Sequence, residues 1–233
     1  MNFMGDHSME GHTLRRFDSE LSQLHLRVLE MGGLVQHQLI ESLRALRGSD
    51  VERARKITRT DRKIDSLESD VDEKVIALAA RRAPMGRDLR MVLVVSKSVT
   101  ELEEVGDEVV NIAEKTIQLC RIEGVPPNPK FIHELDSLAS QAVEMMATVM
   151  RAYDLLEECA AENVIANHRS LEMNFQSELR RLVSLEVYDA QVLSQIVDIA
   201  LIAKSLEAIG QHTKKIAEYV IFYIRGEDVR HNS

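Results

Sequence analysis

LEEVGDEVVNIAEKTI, residues 102–117, returns 104 residues later as LEAIGQHTKKIAEYVI, residues 206–221, and this repetition decides the architecture. Leu102/Leu206, Glu103/Glu207, Gly106/Gly210, Ile112/Ile216, Ala113/Ala217, Glu114/Glu218 and Ile117/Ile221 are identical. The shared apolar positions recur at helical spacing, so each copy reads as a helix and the chain as an internal duplication. A glycine inside a helix costs about 1 kcal/mol relative to alanine, so its place in both copies requires something local that offsets it. The copies differ at Asp107 against Gln211, where their roles are free to diverge.

Working outward, Leu14, Phe17, Leu21, Leu24, Val28, Met31, Val35, Leu39 and Leu43 predict a first helix from His12 to Arg47. Ser49 followed by Glu52 reads as a capping box for a second helix, carried by Ile57, Ile64, Leu67, Val71 and Val75 and ending at the arginines before Pro84. A third helix follows from about Arg87 to Glu123. The stretch GVPPNPK, residues 124–130, holds three of the four prolines and reads as the linker, because X-Pro bonds interrupt helices. Beyond it Phe131, Leu135, Leu138, Ala142, Met145, Val149 and Tyr153 repeat the first-helix pattern at an offset of 114 residues. Fifth and sixth helices are predicted over about Glu162–Leu185 and Asp189–Arg225, with Gly226 as the terminal cap.

The expected fold is therefore all-α: two tandem three-helix bundles, spectrin-like, over residues 12–123 and 131–227, joined by the linker at 124–130. Residues 1–11 are expected to be disordered and 228–233 to form a tail. Composition agrees, with 45% hydrophobic residues, only 4% aromatic, no Trp, and 10 Gly and 4 Pro among 233 residues, the signature of long helices. A net charge of −9 argues against a grip on nucleic acid. Cys120 and Cys159 lack metal-finger spacing and read as small buried residues in a reducing compartment. No apolar stretch reaches membrane-spanning length and the amino terminus lacks a signal-peptide plan, so the expected location is cytoplasmic.

On the second helix Asp61, Asp65, Glu68 and Asp72 share one edge beside the apolar strip, and on the third Glu103, Asp107, Asn111 and Glu114 form a matching stripe. Two such seams facing each other across adjacent antiparallel helices make a cluster of hard oxygen ligands suited to Fe, Zn, Mg or Mn. The plainer reading is a pair of solvated helix faces. In the second copy Glu207 keeps its place, but Lys214 and Lys215 arrive to balance the charge, leaving His168, Glu172, Glu207 and His212 as a weaker ligand set.

The runs DRKIDSLE (61–68), RRAPMGRDLR (81–90) and ELEEVGDEVVNIAE (101–114), with the second LEAIGQH and a terminal YIRG, resemble the PhoU family of regulators of bacterial phosphate uptake. That resemblance implies a cytoplasmic, often dimeric, six-helix protein that links a phosphate-specific ABC transporter to a sensor histidine kinase and represses the phosphate-starvation response. It also implies an iron or zinc cluster, which by position falls on Asp61, Asp65, Glu103 and Asp107, and on Glu207 in the second half. Gln211 and His168 depart from the pattern there. Membrane association would come only through partners, and Arg81, Arg82, Arg87 and Arg90, a basic turn in an acidic chain, are the candidate docking residues for an acidic partner face.

No Ser, Cys or His spacing suggests a nucleophile with its base, and no Glu-x-x-His pair of a diiron oxidase occurs, so an enzyme is not expected. The alternative to a phosphate regulator is a metal-free structural helical interaction module, which accounts for the periodicity but not for the two acidic seams.

Overall fold

A computed structural model describes residues 7–121 and 126–227, with side chains from Phe17 onward. Among these residues the secondary structure is helical: α1 (His7–Gly48), α2 (Val51–Thr60), α3 (Arg62–Arg82), α4 (Gly86–Leu119), α5 (Pro129–Glu134), α6 (Asp136–Leu155), α7 (Glu158–Val183) and α8 (Ala190–Arg225). Two all-α three-helix bundles result. The first consists of α1, the bent rod α2–α3, and α4, and the second of α5–α6, α7 and α8.

Several boundaries differ from the sequence expectation. α1 already begins at His7, inside the stretch expected to be disordered, since nothing from His7 to Gly11 forbids continuation of the helix; residues 1–6 lie outside those described. The cap of α2 is Asp50 and not Ser49: Ser49 adopts a left-handed φ of 49°, and the Asp50 carboxylate accepts from the Arg53 amide at 2.9 Å. The second rod breaks at Asp61, where the Thr60 hydroxyl donates back to the carbonyls of Lys56 and Ile57, a bond that competes with helix continuation. α4 ends at Leu119, short of Glu123, and α7 starts at Glu158, four residues early.

The proline-rich segment is anchored. Pro129 opens α5 behind the Asn128 cap, and the buried Gln195 of α8 donates to the Pro126 carbonyl and accepts from the Asn128 amide. Residues 122–125 of the expected linker lie outside those described. Asp189, expected as the first residue of this helix, caps α8 through its carboxylate, and Gly226 ends the helix at φ 75°, as the sequence predicted. Cys120 is half-buried, but Cys159 is exposed, against expectation.

The mid-helix glycines are explained by what faces them. A Cβ at Gly210 would stand 2.1 Å from Leu171 Cδ2, and one at Gly106 would stand 3.1 Å from Ile64 Cδ1. In each bundle a branched side chain from the middle helix fills the notch, and Ile64 and Leu171 are fully buried there. Burial of about 1.5–3 kcal/mol per such side chain offsets the propensity cost.

The bundles dock through equivalent helices, α4 against α8 and α1 against α6, so one apolar core runs through both. α4 and α8 are antiparallel, since Arg87 reaches Tyr223 near one end and Lys115 meets Asp198 near the other. At mid-seam the buried Glu101 accepts from His212 at 2.7 Å, Lys215 at 3.0 Å and Tyr219 at 3.0 Å. Burial opposes ionisation of Glu101, but the bonds from His212 and Lys215 outweigh it and hold its carboxyl below the ordinary value of 4.5. Its stabilising effect is therefore present above that value and is lost as pH falls through the lower folded value. Glu101→Ala should destabilise the protein by about 1–3 kcal/mol in urea unfolding at pH 7, whereas Glu114→Ala, exposed on the same helix, should change stability by less than about 0.5 kcal/mol. Equal effects would show that Glu101 does not join the bundles.

Candidate functional site

α3 and α4 pack antiparallel, and their acidic edges meet across the groove. The Gly106 notch sets the spacing: its Cβ position lies within 3.6 Å of an Asp61 carboxylate oxygen as well as against Ile64. Farther along, the Ser96 hydroxyl reaches Asp72 at 3.5 Å, and Thr100 hydrogen-bonds Glu68. The carboxylates between them crowd one another.

Burial, then Asp107, Glu68, Glu104 and Asp65, push the Glu103 carboxyl up to about 7. Burial followed by Asp65 and Asp107 raises Asp61, and burial followed by Glu104, Asp65 and Glu108 raises Asp107. Glu68 is raised by burial and Asp72 despite its bond from Thr100. The charges acting on Asp61, Glu103 and Asp107 are all carboxylates, so this seam lacks the basic residues that would neutralise it.

The structure thus brings Asp61, Asp65, Glu68, Asp72, Glu103 and Asp107 to one groove. It adds Glu104, which the sequence reading passed over. Asn111, one turn beyond Asp107, spends its amide on Glu108 of its own helix, to which it donates at 3.3 Å. Among the described residues no three His, Cys, Asp or Glu side chains stand in ligand geometry around one point. The donor set nevertheless fits a hard or borderline cation, because a bound positive charge would relieve the repulsion that raises these carboxyls.

The second groove is chemically different. Lys204 pairs with Glu207 and Lys214 with Glu218 at 3.4 Å, but Lys215, also expected to balance this groove, turns instead to Glu101, so Lys204 takes its place. His168 is buried with its Nε2 lacking a partner, and burial followed by Lys214 holds it below the ordinary histidine range against the pull of Glu207 and Glu172. His168, Glu172 and Glu207 therefore share one neighbourhood. His212 does not belong to it, because it faces the opposite side of α8 and binds Glu101.

The basic turn is engaged within the fold. Arg81 donates to the Ala77 carbonyl and lies 3.6 Å from Glu20 of α1, with Arg82 at 3.9 Å from the same carboxylate. Arg87 donates to the Tyr223 hydroxyl at 3.0 Å and stacks over its ring, and the Arg90 guanidinium covers Gly226 at the end of α8. Arg81 and Arg87 still expose much of their surface, whereas Arg82 and Arg90 are half-buried.

With this geometry in hand, comparison with known proteins is decisive. A family model described as the PhoU domain matches twice, over residues 28–116 and 135–220. The chain belongs to the PhoU family. The two matches are the two bundles, so the duplication read from residues 102–117 and 206–221 is that of the PhoU domain. The chain is 34% identical over 224 residues to the phosphate-specific transport system accessory protein PhoU homolog of Pseudomonas aeruginosa, covering 96% of this chain and 91% of that one. Against the phosphate-specific transport system accessory protein PhoU of Escherichia coli K12 the identity is 25%, with the same coverage. The crystal structure of PhoU from Pseudomonas aeruginosa superposes with a TM-score of 0.85 at 33% identity, covering 91% of this chain and all of that one. PhoU from Streptococcus pneumoniae, at 24% identity and a TM-score of 0.82, shares the fold.

Sequence reasoning missed Glu101, which sits one position before the repeated LE and corresponds to Ser205 in the second PhoU repeat. Its only signal was that asymmetry. The raised carboxyls of the acidic groove carry a pH consequence. Because Glu103 titrates near 7 when folded against 4.5 ordinarily, the folded state holds the extra proton between those values, and stability falls as pH rises through them. In chelator-treated protein Glu103→Gln should raise the melting temperature at pH 8, with the gain shrinking toward pH 5. A gain independent of pH would contradict the crowding of these carboxylates.

Proposed function

We propose that this PhoU-family chain is an accessory regulator of phosphate uptake and a negative regulator of the phosphate-starvation response. It acts without catalysis, as a cytoplasmic homodimeric adaptor between a phosphate ABC transporter ATPase and a sensor histidine kinase. The observation that carries this reading is the family match in both bundles, with relatives named phosphate-specific transport system accessory proteins over nearly the whole chain. Two features support it: long helical faces suit an adaptor, and among the described residues no helix is long and apolar enough to cross a membrane, so contact with a transporter would run through protein surfaces.

In this reading the exposed Arg81 and Arg87 offer bidentate donors to an acidic partner face, while Arg82 and Arg90 hold the turn in place. Deleting the gene should switch on phosphate-starvation genes in high phosphate, and the intact chain should restore repression. Arg81→Ala combined with Arg87→Ala should fail to restore it while keeping native helicity by circular dichroism. Unchanged reporter output on deletion would refute the regulatory role, and full complementation by the double variant would refute the docking role.

The acidic groove would hold iron or zinc through Asp61, Asp65, Glu103 and Asp107, with the His168, Glu172 and Glu207 set a weaker second site. The metal would supply positive charge that locks α3 to α4 and fixes the turn between them. Asp65→Asn with Asp107→Asn should remove most metal measured by elemental analysis of purified protein. Metal content unchanged by that pair would overturn the assignment, and a chain that takes up no metal under any loading condition would favour the metal-free interaction module.

A further inference from the structure

Among the described residues, ten of the thirteen large apolar side chains left exposed gather at two places, around the α3–α4 turn and around the α7–α8 turn. These are the same place in the two repeats. Ile76 and Val183 each lie twelve residues beyond the side chain that fills the glycine notch, Ile64 or Leu171, while Leu89/Leu193 and Leu93/Val197 stand at the 104-residue offset of the repeat. All six are between 41% and 78% exposed. In the first bundle Ile76 follows Asp72 by one turn on the edge of α3 that meets Ser96 of α4, which sets it beside Leu93. In the second, the antiparallel run from the Leu171–Gly210 contact brings Val183 level with Val197. Met85 and Tyr188 stand exposed in the turns themselves.

Scattered exposed apolar residues need no explanation, but a patch built twice at matching positions does. Neighbouring surface positions have parted between the repeats, Lys97/Leu201, Thr100/Lys204 and Asp107/Gln211 among them, while this trio stays apolar in both. α4 and α8 are antiparallel, so the operation that exchanges the bundles is close to a two-fold axis normal to the α4–α8 pair, and equivalent positions emerge on one broad face. α1 and α6 back the pair from the other side. Counted from the Arg87–Tyr223 and Lys115–Asp198 contacts at about 1.5 Å per helical residue, the two patches stand roughly 35–45 Å apart along the pair. Between them α4 turns exposed Glu104 and Asp107 to the same face, within about 40° of Leu93 around the helix, and among the described residues no lysine or arginine pairs with either. A second copy of this chain, with its net charge of −9, or an anionic membrane would bring more negative charge against them. The face instead suits a protein that offers an apolar socket twice, in two-fold relation, with basic residues between the sockets.

We propose that this face docks a two-fold symmetric pair of identical protein subunits, each repeat seating its apolar patch in the same site of one subunit. The proposal rests on the adaptor reading and takes the pair to be the two ATPase subunits of the phosphate transporter, the system for which the relatives are named. Because one folded chain carries both patches, the second contact forms at high effective concentration, and duplication converts two weak contacts into one strong one.

Binding of the full chain to the intact transporter in nanodiscs of zwitterionic lipid, read by interferometry and mass photometry, tests this. One chain per pair of ATPase subunits is expected. Leu89→Ser with Leu93→Ser, and Leu193→Ser with Val197→Ser, should each weaken binding by about 100-fold or more, and the four together should abolish it. All four side chains are exposed, so helicity and melting should match the parent; Ile76→Ser and Val183→Ser repeat the comparison from α3 and α7 should either pair melt early. Binding that survives either pair of substitutions, or one chain per single ATPase subunit, would overturn the two-point docking. Loss of self-association in a patch variant would assign the face to a second copy, and equal binding to anionic nanodiscs without transporter would assign it to a membrane; each overturns the proposal. A parent chain that does not bind the transporter sinks the adaptor reading and this inference together. Binding lost in Arg81→Ala, Arg87→Ala but kept in both patch variants sinks the apolar docking alone.

Discussion

Close approach of helices at two glycines governs this molecule. A methyl group at Gly210 would occupy the space of Leu171, and one at Gly106 would press on Ile64. Because interiors are packed at crystal-like density, the middle helix of each bundle could not simply shift outward by that amount without opening a void along its length. The notch therefore fixes the spacing of α3 to α4 and of α7 to α8. Everything that lies beside the notch inherits that spacing. In the first bundle the neighbours are Asp61, Asp65, Glu103 and Asp107, so a packing device doubles as the means by which like charges are forced together.

Duplication supplied two grooves, and the side chains beside the notches then parted ways. The first retains carboxylates alone and stores electrostatic repulsion that a cation would release. The second has its acids answered by Lys204 and Lys214, with His168 buried and its charged form disfavoured by that burial and by Lys214. One backbone geometry thus carries two chemistries, and the difference arises from substitutions that leave the core untouched.

Between the bundles the same helices that carry the repeat also form the seam. α4 and α8 place their grooves on one side and each other on a second, so Glu101 on one face answers His212, Lys215 and Tyr219 while Glu103 on another faces α3. Two residues apart on a helix means about 200° of rotation, which is why neighbouring glutamates have opposite fates. The first gains hydrogen-bond donors and is held ionised. The second loses water to burial, gains only like charges, and is driven toward protonation.

Much of this was legible in the chain. Helical period, the Gly226 cap and the acidic edge carried by each of the two helices depend on residues within a few turns of one another, where side-chain direction follows from helical geometry alone, and the repeat is read from residue identity. What the sequence could not determine involves pairs far apart along it. The docking of α4 on α8, the burial of Glu101, the turning of His212 away from His168, and the anchoring of Arg87 on Tyr223 each depend on which face of a helix meets which neighbour. Helical period reveals that a face exists and is apolar or charged. Only packing in three dimensions, where burial changes the cost of a charge and supplies or withholds its partner, decides what that face does.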